Sequence, residues 1–484
     1  MKKISLVTIC LLAAFCFRYA GAQDISLSMA EKAAGKWLQL HNDIPISESH
    51  QILDKEGLLM AYCFDLNPSG YIIIASSRHL PPVLAYSFTN NYINTPNHAN
   101  PLEDIIVRDI GSRLDWMDGS GSALKVKYHQ QWRSLLEGGS ALAFFEQWPP
   151  AGTTSTGGWL ETNWKQSSPY NIFCPMDNVT GSRSVAGCPA VALAMIIHYQ
   201  KNLNGTQFSD DDDYYHNYAG RQYWIDDDHQ LMDFPSFPRL NEYFDSMAVK
   251  FPAYIPLNEN EVAALVFACG VAARQVYTSE VSGTFGVTQA FEAYERFAYQ
   301  DAILIYDSDT SFYTHMKNNM KEGIPVHLAL LSSTGSGGHN VVTDGYNTDD
   351  YYHLNFGWGG SYNGWYLLPD EIPYNLTIVE GAIMDVGVTH VGLSEPTEND
   401  IIELTIYPNP THGPLNIHLN LEKSACVNIE VSDMNGRLIK KLHSGHIEAG
   451  DYNLQCTVNL NGGIYFLTVS TENNIMVKKL LVLN

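Results

Sequence analysis

Ten consecutive residues, Cys188-Pro189-Ala190-Val191-Ala192-Leu193-Ala194-Met195-Ile196-Ile197, include no charged side chain. A helix that is apolar on every face has no side to offer to water, so it must run through the middle of a domain. Gly187 permits a tight turn just before it, and Pro189 suits a first helical turn. The predicted helix therefore runs from Cys188 to Tyr199 and starts at a thiol. Free cysteine among apolar residues is usually inert core. At a helix start, however, the positive end of the dipole should lower its pKa and favour a thiolate.

The chain has 484 residues, enough for about three domains. Its first 22 residues have the pattern of a secretory signal. Lys2 and Lys3 precede an apolar run from Ile4 to Phe17, and Ala20-Gly21-Ala22 is a cleavage site, so the mature chain is expected to begin near Gln23. The apolar run falls short of the roughly 20 residues of a membrane span. With 52 acidic against 28 basic residues the net charge is -24, which argues against nucleic-acid partners, since phosphates demand clustered Lys and Arg.

Six cysteines follow the signal, without CxxC or close Cys/His spacing, so neither a zinc site nor any other metal is expected. Export permits disulfides. Cys426 and Cys456 are a candidate pair. Three cysteines then remain in the central region, an odd number that leaves a free thiol, expected to be Cys188.

Residues 23–150 read as a separate small α+β unit. Ser28-Met29-Ala30-Glu31 is a capping-box pattern, followed by Met29, Ala33, Trp37 and Leu40 at helical spacing. Strands are predicted over Leu58 to Phe64 and Tyr71 to Ala75. Two helices are marked by the stripes Leu102, Ile106, Ile110, Leu114, Met117 and Leu124, Tyr128, Trp132, Leu135. A linker rich in Pro, Gly, Ser and Thr runs from Trp148 to Gly158 and is expected to be open to proteolysis. Residues 151–395 put helices first (Cys188 to Tyr199, Glu261 to Tyr277) and strands afterwards, an α+β pattern with a cleft between two layers. After Glu395–Asp400, residues 401–484 show short alternating strands with turns at Asn409-Pro410, Asn435-Gly436, Ala449-Gly450 and Asn461-Gly462-Gly463, the pattern of a β-sandwich.

Residues suited to acyl-transfer chemistry lie on both sides of the apolar helix. His339, 151 residues after Cys188, follows Gly335-Ser336-Gly337-Gly338, whose missing side chains leave room for a substrate backbone. It is expected to take the thiol proton and later protonate a leaving amine. Asn355 is expected to accept the other ring N–H of His339, with Trp358 shielding that bond. Gln166, with the backbone N–H of Cys188, can form an oxyanion hole. The acidic runs Asp210–Asp213 and Asp226–Asp228 lack the EF-hand order and read as solvated loops.

Trp164-Lys165-Gln166 with Pro169-Tyr170-Asn171, Gly187-Cys188, Gly338-His339 and Asn355-Phe356-Gly357-Trp358-Gly359-Gly360 together resemble the streptopain family of papain-like cysteine peptidases. The resemblance extends forward to Gly70–Ala75 and Leu84–Ser87, which look like that family's pro-domain. Phe356 and Pro189 stand where Trp and Val are expected. The resemblance implies a papain-like two-layer fold and a secreted endopeptidase made as a zymogen, acting on protein substrates without a cofactor. It also implies that the pro-domain is an intramolecular inhibitor, and that Cys188, His339, Gln166 and Asn355 act as nucleophile, base, oxyanion donor and orienter. An apolar residue just before the one at the scissile bond would be recognised by a cleft lined by Ser279–Gly283, with Ser282 and Gly283 as the candidates.

Ile406–Pro410, Asp433–Arg437, Gly463–Leu467 and Lys478-Lys479-Leu480 resemble the sorting domain of type IX secretion substrates. This implies handling by secretion machinery, passage across an outer membrane, and release or surface attachment. Two alternatives share the constellation: an acyl transferase, and a silent or permanently masked adhesin or inhibitor.

Overall fold

The computed structural model describes residues 24–93, 101–119, 122–137, 145–331, 338–370, 378–387, 401–409, 411–432, 438–458, 460–471 and 475–482. The signal-type segment 1–22, the glycine run 335–337, the boundary 395–400 and the turn Asn435-Gly436 lie outside these residues. The chain forms two compact units, residues 1–388 and 389–484.

In the first unit, helix α1 (Leu27–His41) is capped by Ser26, whose hydroxyl accepts from the N–H of Met29. The cap thus lies two residues before the predicted one at Ser28, and the helix buries Ala30, Ala33, Ala34, Trp37 and Leu38. Strands β1 (Ile46–Leu53), β2 (Leu59–Leu66), β3 (Tyr71–Ala75) and β4 (Val83–Ser87) form an antiparallel meander. Helices α2 (Pro101–Gly119) and α3 (Ser122–Glu137) follow the two apolar stripes, and the short strand β5 is Gln147–Trp148.

Helix α4 (Cys188–Gln200) matches the predicted central helix. Each residue from Ala190 to Ile197 is at most 1% exposed. At about 1.5–3 kcal/mol per large aliphatic side chain, this burial anchors the helix firmly. After the hairpin β6 (Tyr214–Tyr218) and β7 (Arg221–Ile225), helices α5 (Phe237–Lys250), α6 (Glu259–Ala272) and α7 (Val287–Arg296) complete the helical side. Helix α4 packs against α6 and α7 on one side. Strands then dominate: β8 (Ile303–Tyr306), β9 (Val326–Leu331), β10 (Gly338–Asn347), β11 (Tyr351–Asn355), β12 (Gly364–Leu367) and β13 (Val379–Met384), with helix α8 (Phe312–Glu322) between β8 and β9. The other side of α4 rests on β9 and β10. Helical layer and sheet layer meet there, as the α+β reading requires.

The strands of the N-terminal region do not stand apart. Eleven strands form one sheet in the order β1-β2-β3-β4-β12-β11-β10-β9-β13-β8, with β5 paired to β10. The junction pairs Tyr86 with Trp365 and Ala85 with Tyr366. Every residue of β4 is buried, so its outer edge would leave unpaired backbone groups without water unless another strand covered it. Strand β12 does so.

The second unit comprises β14 (Ile401–Tyr407), β15 (Pro414–Leu421), β16 (Ala425–Ser432), β17 (Leu438–Ile447), β18 (Gly450–Thr457), β19 (Gly463–Ser470) and β20 (Ile475–Val482). They form sheets β14-β15-β18 and β17-β16-β19-β20, with Leu415, Ile417, Leu419, Val427, Ile429, Val431, Leu467 and Val469 buried at alternate positions. This is the predicted sandwich. The candidate Cys426–Cys456 pair is not bonded. Both thiols are free: Cys426 is exposed on its strand, whereas Cys456 is half-buried against the core of the other sheet. Cys63, Cys174, Cys188 and Cys269 are also free.

Candidate active site

Gly187 carries the chain into α4 with φ +84°, and a Cβ there would lie 2.8 Å from Oε1 of Gln275 and 3.0 Å from the carbonyl of Ser282. Only glycine fits. One residue earlier, Ala186 is held on both sides. Its N–H donates to the carbonyl of Gln166 at 2.9 Å, and its carbonyl accepts from Nε2 of Gln275 at 2.7 Å. Cys188 is thereby fixed at the tip of the buried helix. The Gln166 segment is tied on its other side to the loop after β11, through a Lys165–Trp358 bridge and a bond from Gly359 N–H to the Trp164 carbonyl. The Gln166 side chain is half-buried and has no hydrogen-bond partner among the described residues.

Strand β10 delivers His339 and Asn340. The N–H of Asn340 donates to Sγ of Cys188 at 3.4 Å, and its side-chain amide lies 3.9 Å from the same sulfur. The Asn340 amide oxygen is 2.8 Å from Nε2 of His327, which fixes that side chain. Gly338 serves the sheet itself, because a Cβ there would lie 2.5 Å from the Leu330 carbonyl. At Gly338 the space is thus taken by β9, and residues 335–337 lie outside the described residues.

The His339 imidazole donates from Nε2 to the backbone carbonyl of Phe356 at 2.9 Å and stacks on Trp358 with centroids 4.3 Å apart. Among the described residues no hydrogen bond joins His339 to Cys188. Burial pushes the Cys188 thiol up, despite two donors from Asn340, and pushes His339 down to about 4 against the bond to Phe356. Both groups are neutral near pH 7. The thiolate expected from the helix dipole is outweighed by burial.

Among the described residues Asn355 makes no hydrogen bond to His339. Wholly buried, it donates to the Thr162 carbonyl at 2.8 Å and accepts from the N–H of Gly357 at 3.1 Å. It shapes the turn after β11, and the next carbonyl, that of Phe356, takes the imidazole proton. Ser282 is also otherwise engaged, since its hydroxyl accepts from Thr278 N–H and donates to the Thr278 carbonyl. Gly283, half-buried and with a Cβ position 3.7 Å from Pro189, is the part of that loop beside the helix tip.

The loop is held by an element absent from the sequence reading. Asp177, with a fully buried side chain, pairs with Arg221 at 2.7 Å and accepts from the N–H and hydroxyl of Ser279. The Arg221 bonds hold its carboxyl well below the usual carboxylate range. Gln275, His327 and Asn340 were likewise missed. Only Asn340, adjacent to a candidate base, carried any local signal.

The N-terminal region grips the loop that carries Trp358. Tyr362 in that loop accepts from the Tyr71 hydroxyl at 2.7 Å. It also donates its N–H to the Asn91 carbonyl at 3.2 Å and its hydroxyl to the Ile93 carbonyl at 2.8 Å. The chain is pinned just beyond the end of the predicted linker. Trp159 N–H donates to the Asp344 carbonyl at 2.7 Å, and Leu160 N–H to the Asp344 carboxylate at 2.9 Å. Ala151, Gly152, Thr153 and Ser155 are exposed.

Residues 164–366 match the Peptidase C10 family, residues 22–107 the Spi protease inhibitor, and residues 405–483 the secretion system C-terminal sorting domain. Streptopain of Streptococcus pyogenes is 22% identical over 349 residues, covering 66% of this chain and 77% of the relative. The thiol protease/hemagglutinin PrtT of Porphyromonas gingivalis is 24% identical over 307 residues, 62% of this chain and 32% of that protein. Among solved structures, a prointerpain A fragment of Prevotella intermedia is 19% identical with a TM-score of 0.46, covering 70% of this chain and 98% of the fragment. Active interpain A of the same organism is 25% identical with a TM-score of 0.35, covering 48% and 94%. The chain thus carries a Peptidase C10, streptopain-family domain with an inhibitor-type pro-domain and a type IX sorting domain. It is a cysteine peptidase made as a zymogen, and its sorting domain marks it as secreted or cell-surface.

Proposed function

We propose that Cys188 is the nucleophile of this peptidase and His339 its general base and acid, acting on peptide bonds of protein substrates. The observation that carries the reading is the Asn340 N–H on the Cys188 sulfur, which puts the strand bearing His339 against the tip of α4. With Nε2 committed to Phe356, Nδ1 of His339 is the nitrogen free to take the thiol proton. The thiolate attacks the carbonyl carbon, and the oxyanion is held by the Gln166 amide and the Cys188 N–H. Collapse breaks the C–N bond, His339 protonates the departing amine, and an acyl-enzyme forms. Water then hydrolyses it, with His339 as base. Trp358 covers the imidazole, Gly283 borders the cleft and Asn355 holds the turn. The chemistry needs no metal or organic cofactor.

Residues 23 to about 150 act as the inhibitor. Their hold on Tyr362 fixes the loop bearing Trp358, and in this state thiol and imidazole are both neutral. A cut in the exposed stretch 150–155 would release them. Residues 1–22 direct export, and the C-terminal sandwich is handled by the secretion machinery. The test is labelling with an epoxide inhibitor followed by peptide mapping. The label is expected on Cys188 after activation, and a label confined to another cysteine would overturn the assignment.

A further inference from the structure

We propose that His50, Cys63 and Asp65 form a zinc site in the N-terminal region. Register brings them together: His50 on β1 pairs directly with Cys63 on β2, and Asp65 lies two residues further on, on the same face. One imidazole nitrogen, the Cys63 sulfur and one carboxylate oxygen all lie within 4.8 Å of one another. Ligands about 2.0–2.3 Å from a tetrahedral ion stand roughly 3.3–3.8 Å apart, so small side-chain rotations close the set. Sequence spacing could not show this, because β1 and β2 supply the ligands through pairing and not through a short loop.

Two further observations point to a cation. Nε2 of His50 is buried with no hydrogen-bond partner, and Nδ1 stands 3.7 Å from Asp65, beyond hydrogen-bond length. Glu103 on α2, only 9% exposed, faces the same group as a negative neighbour of both His50 and Cys63. Among the described residues it receives one hydrogen bond, from Tyr92, and no Lys or Arg. A buried carboxylate lacking a cation is costly, and an ion held by Cys63 and Asp65 would supply the charge, with Glu103 or water as fourth ligand.

A thiolate, an imidazole and a carboxylate are the donor set of zinc rather than of calcium or magnesium. On binding, the thiol proton leaves to solvent. Asp65, with 30% of its side chain exposed, leaves a way in. The ion would tie the edge strand β1 to β2.

The test uses the full chain with Cys188→Ala, which removes the half-buried thiol of this unit and self-cleavage with it. One zinc per chain is expected by metal analysis after exchange into metal-free buffer. Cobalt in its place should give a thiolate charge-transfer band. Cys63→Ser should abolish the band, and His50→Ala should weaken zinc binding at least about tenfold, with circular dichroism reporting the fold. If Cys63→Ser fails to fold, His50→Ala decides alone, because β1 is an edge strand and His50 lies partly open. Absence of stoichiometric zinc, or affinity unchanged in His50→Ala, would overturn the site.

Discussion

The hydroxyl of Tyr71 donates to the carbonyl of Tyr362 across 2.7 Å, joining a strand of the inhibitory region to the loop that covers the imidazole. Four residues before Tyr362, Trp358 lies on His339 and packs edge-on against Tyr362 itself. The relay from pro-domain to imidazole therefore passes through three side chains. Its first member can be altered without touching the site.

Tyr71→Phe keeps the ring and removes a hydroxyl that bonds both the Tyr362 carbonyl and the Tyr366 hydroxyl. The Tyr362 carbonyl still accepts from Tyr366, so no buried acceptor is orphaned, and the loss should be about 1 kcal/mol. The expected outcome is self-activation about fivefold faster, followed by gel analysis of the pro-form. An unchanged rate would show that the Tyr71 bond does not contribute to latency.

Cys188→Ala should lower casein hydrolysis by about 10⁴-fold or more. Melting temperature should move little, since nine apolar residues beyond the thiol anchor α4. Near-normal hydrolysis in a folded variant would remove Cys188 from the mechanism.

The helix and its terminal thiol were readable because a run apolar on all faces allows one placement, and Gly187 and Pro189 mark its start. His339 and Gln166 were readable as residue types at plausible intervals. Three things were not. The partner of His339 is a backbone carbonyl, which no side-chain pattern reveals. The ionisation of Cys188 depends on what buries it, and burial comes from distant segments. The junction of β4 with β12 joins residues 279 and 281 positions apart in the chain, which local periodicity cannot register.

Asn355→Ala separates a positioning role from a structural one. Its amide serves Thr162 and Gly357, both buried or half-buried, so its loss should cost about 1–3 kcal/mol of stability. The pH profile of the remaining activity should not shift. A shifted profile with an unchanged melting temperature would mean that Asn355 reaches His339 in the active enzyme.

His339, folded near 4 and near 6.5 when unfolded, binds fewer protons in the folded chain between those values. Its contribution to stability is complete above about pH 6.5 and is lost as the pH falls towards 4. His327 and His198 are lowered to about 4 by the same burial, whereas Asp213, raised to about 6, acts in the opposite direction. The decisive measurement is therefore differential. The melting temperature of the zymogen should depend less steeply on pH between 4 and 6.5 in His339→Gln. Equal slopes would show that His339 is not buried neutral.

The activation cut should fall between residues 150 and 155, and the reason lies in Asp344. Its carbonyl and carboxylate hold Trp159 and Leu160, and the carboxylate is held in turn by His353 at 2.6 Å. Gly158 lies so close that a Cβ would sit 2.2 Å from the carboxylate. A protease must draw several residues of extended chain into its cleft, which the pinned segment 156–160 resists and the exposed stretch before it allows. Limited proteolysis of the Cys188→Ala chain, read by N-terminal sequencing, should give new termini within 151–156. Gly158→Ala must displace Asp344 or the strap, and should extend cleavage towards residue 160. Cleavage confined to sites beyond 160 in the unaltered strap would mean that Asp344 does not set the boundary.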